Sequence, residues 1–125
     1  MMPDEKERLL ALFDTEARWC RGAEAANTTG RAVSYDDGDA VAWDLTGALC
    51  VLFGWPRACV LFGQLDRHLH GRRAPLSWPA RSSEMDAMSA LQEFNDRPET
   101  TFETLRARLE AVPVWRATAG AVEGA

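Results

Sequence analysis

The chain has 125 residues, of which 46% are hydrophobic, and its formal net charge is −5. This length and composition exclude a disordered chain and are sufficient for a core without disulfide support. The acidic balance disfavours a general nucleic-acid-binding role, because such proteins need an excess of lysine and arginine. We therefore predict a single helical domain over residues 1–118 and a flexible C-terminal tail over residues 119–125.

The cysteines and the apolar runs indicate the cellular compartment of the protein. Cys20, Cys50 and Cys59 are odd in number and irregularly spaced, which does not fit a disulfide framework. The N-terminus lacks the apolar run of a signal peptide, and the longest apolar stretch, around residues 48–55, is too short to cross a bilayer. These features predict a cytoplasmic protein with reduced thiols and no membrane attachment.

Apolar residues recur at helical spacing in five segments, and this pattern predicts the fold. The first helix starts just after Asp4, and its apolar stripe continues to Ala17. The turn-rich residues 27–30 then predict a β-hairpin. The second helix takes its N-cap from the acidic turn at residues 36–39, and its apolar pattern starts at Val41. The predicted class is mainly α: a compact bundle of about five short helices with a small β-hairpin after the first helix.

The second helix is apolar on nearly every side, so we expect it at the centre of the fold. Gly47 lies in its interior, where glycine is about 1 kcal/mol less favourable than alanine. The glycine therefore predicts a neighbouring backbone or ring that comes too close for a side chain.

Local signals mark the starts of the remaining helices. Pro56 suits the first position of the third helix. Ser82 or Ser83 is expected to cap the fourth helix. Thr100 and Glu103 match a capping box for the fifth.

Three short motifs occur in order along the chain. They are Trp-Cys-Arg-Gly-Ala at residues 19–23, Ala-Trp-Asp-Leu-Thr-Gly-Ala-Leu at residues 42–49 and Phe-Asn-Asp at residues 94–96. The chain thereby resembles an uncharacterised family of small bacterial proteins with the pattern Trp-Cys-x-Gly-Ala, Trp-x-Leu-x-Gly-Ala-Leu and Trp-Asn-Asp, although Phe94 replaces a tryptophan. The resemblance covers roughly residues 19–109. It supports the architecture and implies no activity.

Asp66 and His70 are the first candidate for chemistry. On a helix they lie one turn apart on the same face, where they would act as metal ligands or as an acid/base pair, with Cys20 as a nucleophile. The alternative is structural: Asp66 bonds to His70 or to an arginine, and Cys20 is a buried thiol. The structural interpretation is favoured, because no third metal ligand is in sight, and we predict no metal site and no cofactor.

The loop of residues 72–81 is the first candidate for binding. It combines Arg72, Arg73, Trp78 and Arg81 with two prolines. Arginine and tryptophan often dominate the binding energy of interfaces, and the prolines lower the entropy cost of binding. The alternative, about equally favoured, is that Trp78 packs under a helix and the arginines are only solvated.

Asn95 and Asp96 are the second candidate for binding, because they stand just before a capped helix. Side chains of this type more often satisfy backbone groups at helix ends. We favour that structural role and keep ligand binding as the alternative.

The sequence therefore predicts a small non-enzymatic interaction or regulatory module that binds another protein through residues 72–81. We expect a monomer or homodimer without nucleic acid. The alternative is a small metal-dependent or Cys/His hydrolase that uses Asp66, His70 and Cys20. A weaker third hypothesis is an acidic inhibitor that occupies the basic groove of a nucleic-acid-handling complex.

Overall fold

The computed structural model describes residues 1–70 and 80–114, with the backbone alone for residues 80–84. Within these ranges the protein has five α-helices and a three-stranded sheet. The helices are α1 (Pro3–Leu12), α2 (Leu45–Phe53), α3 (Trp55–His70), α4 (Ala80–Asp96) and α5 (Phe102–Glu110). The strands are β1 (Ala25–Ala26), β2 (Ala32–Val33) and β3 (Ala42–Trp43). The predicted mainly α class is confirmed.

Helix α2 lies at the centre, as predicted. Every residue from Leu45 to Cys50 is buried, and α2 contacts α1, α3, α4 and β3. The largest fully buried side chains in the described part of the chain include Leu9, Phe13, Leu61, Phe62, Leu65, Leu91, Leu105 and Leu109. No helix within the described ranges is long and apolar enough to cross a membrane.

The predicted hairpin is present, and a third strand extends it. Strand β1 pairs antiparallel with β2, and the side-chain oxygen of Asn27 closes the turn by accepting from the backbone N–H groups of Thr29 and Arg31, each at 3.0 Å. Strand β3 pairs with the other edge of β1, which gives the order β2-β1-β3. Strand β3, which directly precedes α2 in the chain, is the strand that contacts this helix.

Helix α2 starts later than predicted, because Ala42 and Trp43 form strand β3. Both residues are buried, and a short buried strand shows the same apolar run as a helix. The predicted N-cap in the acidic turn at residues 36–39 is therefore wrong. The cap is Asp44, whose side chain accepts from the backbone N–H of Gly47 at 2.7 Å.

Helix α1 ends at Leu12, so the apolar stripe does not reach Ala17, which is exposed in a 3₁₀ turn. The reason lies on α5. The guanidinium of Arg106 donates to the backbone carbonyls of Leu10 and Phe13 at 2.8 and 2.7 Å. These bonds satisfy carbonyl groups that a longer helix would have used itself.

Two other predicted helix starts are wrong by one or a few residues. Helix α4 begins at Ala80, so Ser82 and Ser83 lie inside it. Helix α5 is capped by Thr101 and not by Thr100, since the Thr101 hydroxyl accepts from the backbone N–H of the residue three positions later at 3.0 Å. Neighbouring residues that are both able to cap cannot be ranked from sequence alone.

Candidate functional site

Asn95, at the end of α4, joins three parts of the chain. Its side-chain oxygen accepts from the indole N–H of Trp19 at 2.7 Å and from the backbone N–H of Leu45 at 3.0 Å. Its amide nitrogen donates to the backbone carbonyl of Cys20 and to the carboxylate of Asp96, both at 3.0 Å. The residue is completely buried. All four hydrogen-bonding positions of this amide are thus occupied inside the protein.

Residues 19–23 are fastened to α4 and α5 by further contacts. The backbone N–H of Gly22 donates to Asp96 at 3.0 Å, and the guanidinium of Arg21 donates to the carbonyl of Thr100. The same guanidinium stacks over the ring of Trp19 at 4.6 Å, and that ring packs against Phe102. This surrounding layer fixes Trp19 in the position from which it reaches Asn95.

Asp44 and Gly47 fasten the start of α2 to the same region. The Asp44 carboxylate accepts from the N–H of Gly47 at 2.7 Å and from the hydroxyl of Thr46 at 2.9 Å. Burial is the main cause that raises the pKa of Asp44 to about 6, and the nearby carboxylates of Asp96 and Glu24 also raise it. A Cβ atom on Gly47 would collide with the backbone carbonyl of Glu24, so the close backbone approach that this glycine predicted is confirmed.

Cys20 lies at this junction with a protonated thiol. Its sulfur is 3.5 Å from the carbonyl oxygen of Ala23. Burial raises the pKa of the thiol to about 11, and the carboxylates of Asp44 and Asp96 add to the effect. Nucleophilic cysteines need a lowered pKa, so these surroundings do not favour the alternative in which Cys20 is a nucleophile.

The three sequence motifs therefore meet at one place, which we call the Asn95 junction: residues 19–24, residues 44–47 and residues 95–96. From the sequence, Asn95 and Asp96 are predicted at a helix end. No pattern in the sequence indicates that Trp19 and Asp44 belong to the same cluster. Asp44 had a readable signal, since aspartate three residues before a helical N–H is a common cap. The link between Trp19 and Asn95 spans 76 residues of chain and has no local signal.

Asp66 and His70 form a close pair at the end of α3. Nδ1 of His70 lies 2.7 Å from Oδ1 of Asp66, and the two side chains are only 18% and 14% exposed. The His70 ring packs edge-on against the Phe94 ring. The guanidinium of Arg108 also lies over the Phe94 ring, 5.8 Å from its centre. Arg108 also donates to the carbonyl of Leu69. The pair is thus held from α4 and α5 as well as from its own helix.

An open depression of about 490 Å³ lies beside this pair. Its described lining comes from the end of α3 and the outer side of α4: His70, Asp86, Ser89, Ala90, Glu93 and Arg97. Cys20 and Asp96 are not among these residues. In the described part of the chain, no three histidine, cysteine, aspartate or glutamate side chains are grouped as metal ligands would be.

The predicted binding loop can be located only by its ends. Arg72, Arg73 and Trp78 lie outside the described residues, and Arg81 is described by its backbone alone, in the first turn of α4. Residue 72, where the loop begins, is two positions after His70, which lines the depression. The two predicted sites of residues 66–70 and 72–81 are therefore neighbours along the chain.

Comparison with known proteins identifies a family and no activity. The model of a family of unknown function, DUF6197, matches residues 7–113. The match includes all three motifs of the Asn95 junction and most or all of each of the five helices. No curated protein and no solved structure matches the chain. As the resemblance to an uncharacterised family predicted, the chain belongs to DUF6197, a family of unknown function.

Proposed function

We propose that the protein binds another protein through the residue 72–81 loop and the adjoining outer side of α4. We call this outer side the α4 face: Met85, Asp86, Ser89 and Glu93. The observation that carries the proposal is the exposure of Met85, which is 60% accessible on a helix that also borders an open depression. An exposed large apolar side chain beside charged residues is a common arrangement in interfaces.

The arrangement of the chain supports this choice of surface. Methionine is flexible and adapts to different partner shapes, and Asp86, Ser89 and Glu93 are exposed around it. Asn95, the other predicted binding residue, is buried and has no hydrogen-bonding position left for a ligand. The exposed α4 face is therefore more accessible to a partner than the buried side chain of Asn95.

The test is a partner-binding measurement with matched variants. The tagged protein captures partners from an extract of its native host, and mass spectrometry identifies any protein retained. Affinity for the purified partner is then measured by calorimetry for wild type, for the double variant R73A/W78A and for M85A. We expect the double variant to bind about 30-fold more weakly or worse, as loss of a central interface residue does, with an unchanged melting temperature.

The control is V60A, which shortens a 46% exposed apolar side chain of α3 that does not line the depression. Its affinity should equal that of wild type. Unchanged affinity in both R73A/W78A and M85A would reject the proposal. An equal loss in V60A would show that the effect does not belong to this surface.

A small hydrolase is the second candidate function, and the Asp66–His70 geometry favours it. The pair is close, largely shielded, and its imidazole lines a depression that a small molecule can enter. The raised pKa of Cys20 counts against that residue as the nucleophile. His70→Gln should abolish hydrolysis of a p-nitrophenyl ester if the site is active, and hydrolysis that is equal in the variant and in wild type would reject this function.

A further inference from the structure

We propose that Ser89 is the nucleophile of a site that hydrolyses small acyl esters, with His70 as the general base and Asp66 as the residue that positions it. This inference rests on the second candidate function and names its nucleophile and substrate class. It arises from the juxtaposition of a His–Asp pair and a serine at one open depression.

The Asp66–His70 pair has the geometry of a base and its positioning residue. Nδ1 of the imidazole faces the carboxylate at 2.7 Å. In the neutral ring whose proton is on Nδ1, that proton is donated to Asp66 and Nε2 carries the lone pair. Nε2 has no hydrogen-bond partner among the described residues. The edge-on contact with Phe94 at 6.4 Å keeps the ring in one orientation. A positioned imidazole with an open Nε2 can accept a proton from a hydroxyl group.

Ser89 supplies such a hydroxyl group at the same depression. It is exposed on α4 and lines the same depression as His70. Its hydroxyl forms no hydrogen bond within the described part of the chain and is free to rotate. Catalytic hydrogen bonds often tighten only when substrate is bound, so a bound ester would bring the Ser89 hydroxyl and Nε2 together.

Arg97 is placed to stabilise the negative charge that forms on the ester oxygen. Arg97 is one of the lining residues, its side chain is 46% exposed, and its ion pair with Glu93 is long, at 3.9 Å. A volume of about 490 Å³ suits a small molecule. The substrate class is therefore a short-chain acyl ester whose carbonyl points toward Arg97.

The reaction has two steps that use water as the only co-reactant. In the first, the Ser89 oxygen bonds to the acyl carbon, the ester C–O bond breaks, and the serine proton passes through His70 to the departing alcohol. In the second, a water oxygen bonds to the acyl carbon while His70 takes one of its protons. The bond to Ser89 breaks, His70 returns the proton to the serine oxygen, and the carboxylic acid leaves.

The experiment combines covalent labelling with hydrolysis, using the full chain. A fluorophosphonate probe is added, the modified residue is mapped by peptide mass spectrometry, and p-nitrophenyl acetate hydrolysis is followed in parallel. We expect wild type to be labelled at Ser89. S89A should lose both signals, and H70Q should lose about 100-fold or more of each, which is a typical general-base contribution. S34A, which removes an exposed serine between β2 and β3, should behave as wild type.

The positioning role of Asp66 has its own test. D66N should lower both rates, and D66E, which restores a carboxylate, should recover part of the loss at an unchanged melting temperature. A D66E variant as slow as D66N would reject that role.

The outcomes separate this inference from the function on which it rests. Hydrolysis that depends on His70 but not on Ser89 would overturn the inference and keep the hydrolase function. Rates that are equal in wild type, S89A and H70Q would overturn both. Labelling of Ser34 as strong as that of Ser89 would show non-selective reactivity and overturn the Ser89 assignment.

Discussion

Asp44 combines two opposing effects in one buried side chain. Its carboxylate caps α2 through bonds to Gly47 and Thr46, which stabilises the helix. At 3% exposure it also carries a charge out of water, and burial raises its pKa from 3.8 to about 6. The folded protein therefore binds this proton more tightly than the unfolded chain does. The contribution of Asp44 to stability increases as the pH falls through 6 toward 3.8, and it is lowest above pH 6.

This balance predicts the behaviour of Asp44→Asn. Asparagine is an equally good N-cap and carries no charge to bury. In wild type, protonation of Asp44 should contribute about 1 kcal/mol to the free energy of unfolding between pH 7 and pH 5. D44N should lose that contribution. The measurement is urea unfolding of both proteins at a series of pH values.

Two comparisons make the D44N result specific. Carboxylates that do not interact with Asp44 titrate equally in both proteins, so they cancel in the difference between the two pH profiles. D44A should also lose the pH dependence and, in addition, about 1 kcal/mol at every pH because the cap is gone. Parallel pH profiles for wild type and D44N would contradict the assignment.

At the scale of elements, helix α2 depends on the absence of a side chain at residue 47. Alanine is the better helix former by about 1 kcal/mol, yet a Cβ atom there would meet the backbone carbonyl of Glu24. A backbone group of a neighbouring segment cannot move aside as a flexible side chain can. We expect G47A to lower the free energy of unfolding by about 2 kcal/mol or more.

Gly63 on α3 is the matched control for Gly47. A Cβ atom at residue 63 meets nothing within 4 Å, so G63A should raise the free energy of unfolding by about 0.5–1 kcal/mol. Chemical unfolding of both variants checks the pair. A G47A protein as stable as wild type would show that the backbone of Glu24 does not approach α2 as closely as described.

The elements themselves show what their sequence signals can and cannot determine. The buried face of α3 has regular helical spacing, since Ala58, Leu61, Phe62, Leu65 and Leu69 are all buried, and a periodic apolar pattern of this kind can be recognised in a sequence. Helix starts are less certain. Ala42 and Trp43 fit the helical pattern of α2 but pair with β1 instead, since pairing with a distant strand leaves no local mark in the sequence.

At the scale of the whole molecule, the three short sequence motifs have a clear part in the fold and no assigned part in a reaction. The motif residues of three distant segments meet at the Asn95 junction. The hydrogen bonds described there join residues of different segments of the chain. Of these motif residues, the sequence predicts a helix end only for Asn95 and Asp96, and it places residues 44–47 inside the second helix. It cannot predict that they meet, because the contacts join residues 50 to 76 positions apart.

The candidate site was predictable only in part, for a related reason. The Asp66–His70 pair is local, one helical turn apart, and the sequence identifies it. Ser89 and Arg97 reach the same depression from α4, and neither has a recognisable motif around it. Their place depends on how α4 crosses α3, which apolar spacing does not specify.

The central claim, that the Asn95 junction holds the fold together, is tested most directly by the stability of Asn95→Ala. The substitution leaves the buried backbone N–H of Leu45 without its partner, and likewise the partly buried indole N–H of Trp19 and carbonyl of Cys20. Each such group costs about 1–3 kcal/mol. We predict that urea denaturation will show a loss of about 3 kcal/mol or more in the free energy of unfolding. A loss below about 0.5 kcal/mol, the usual range of surface substitutions, would contradict the claim.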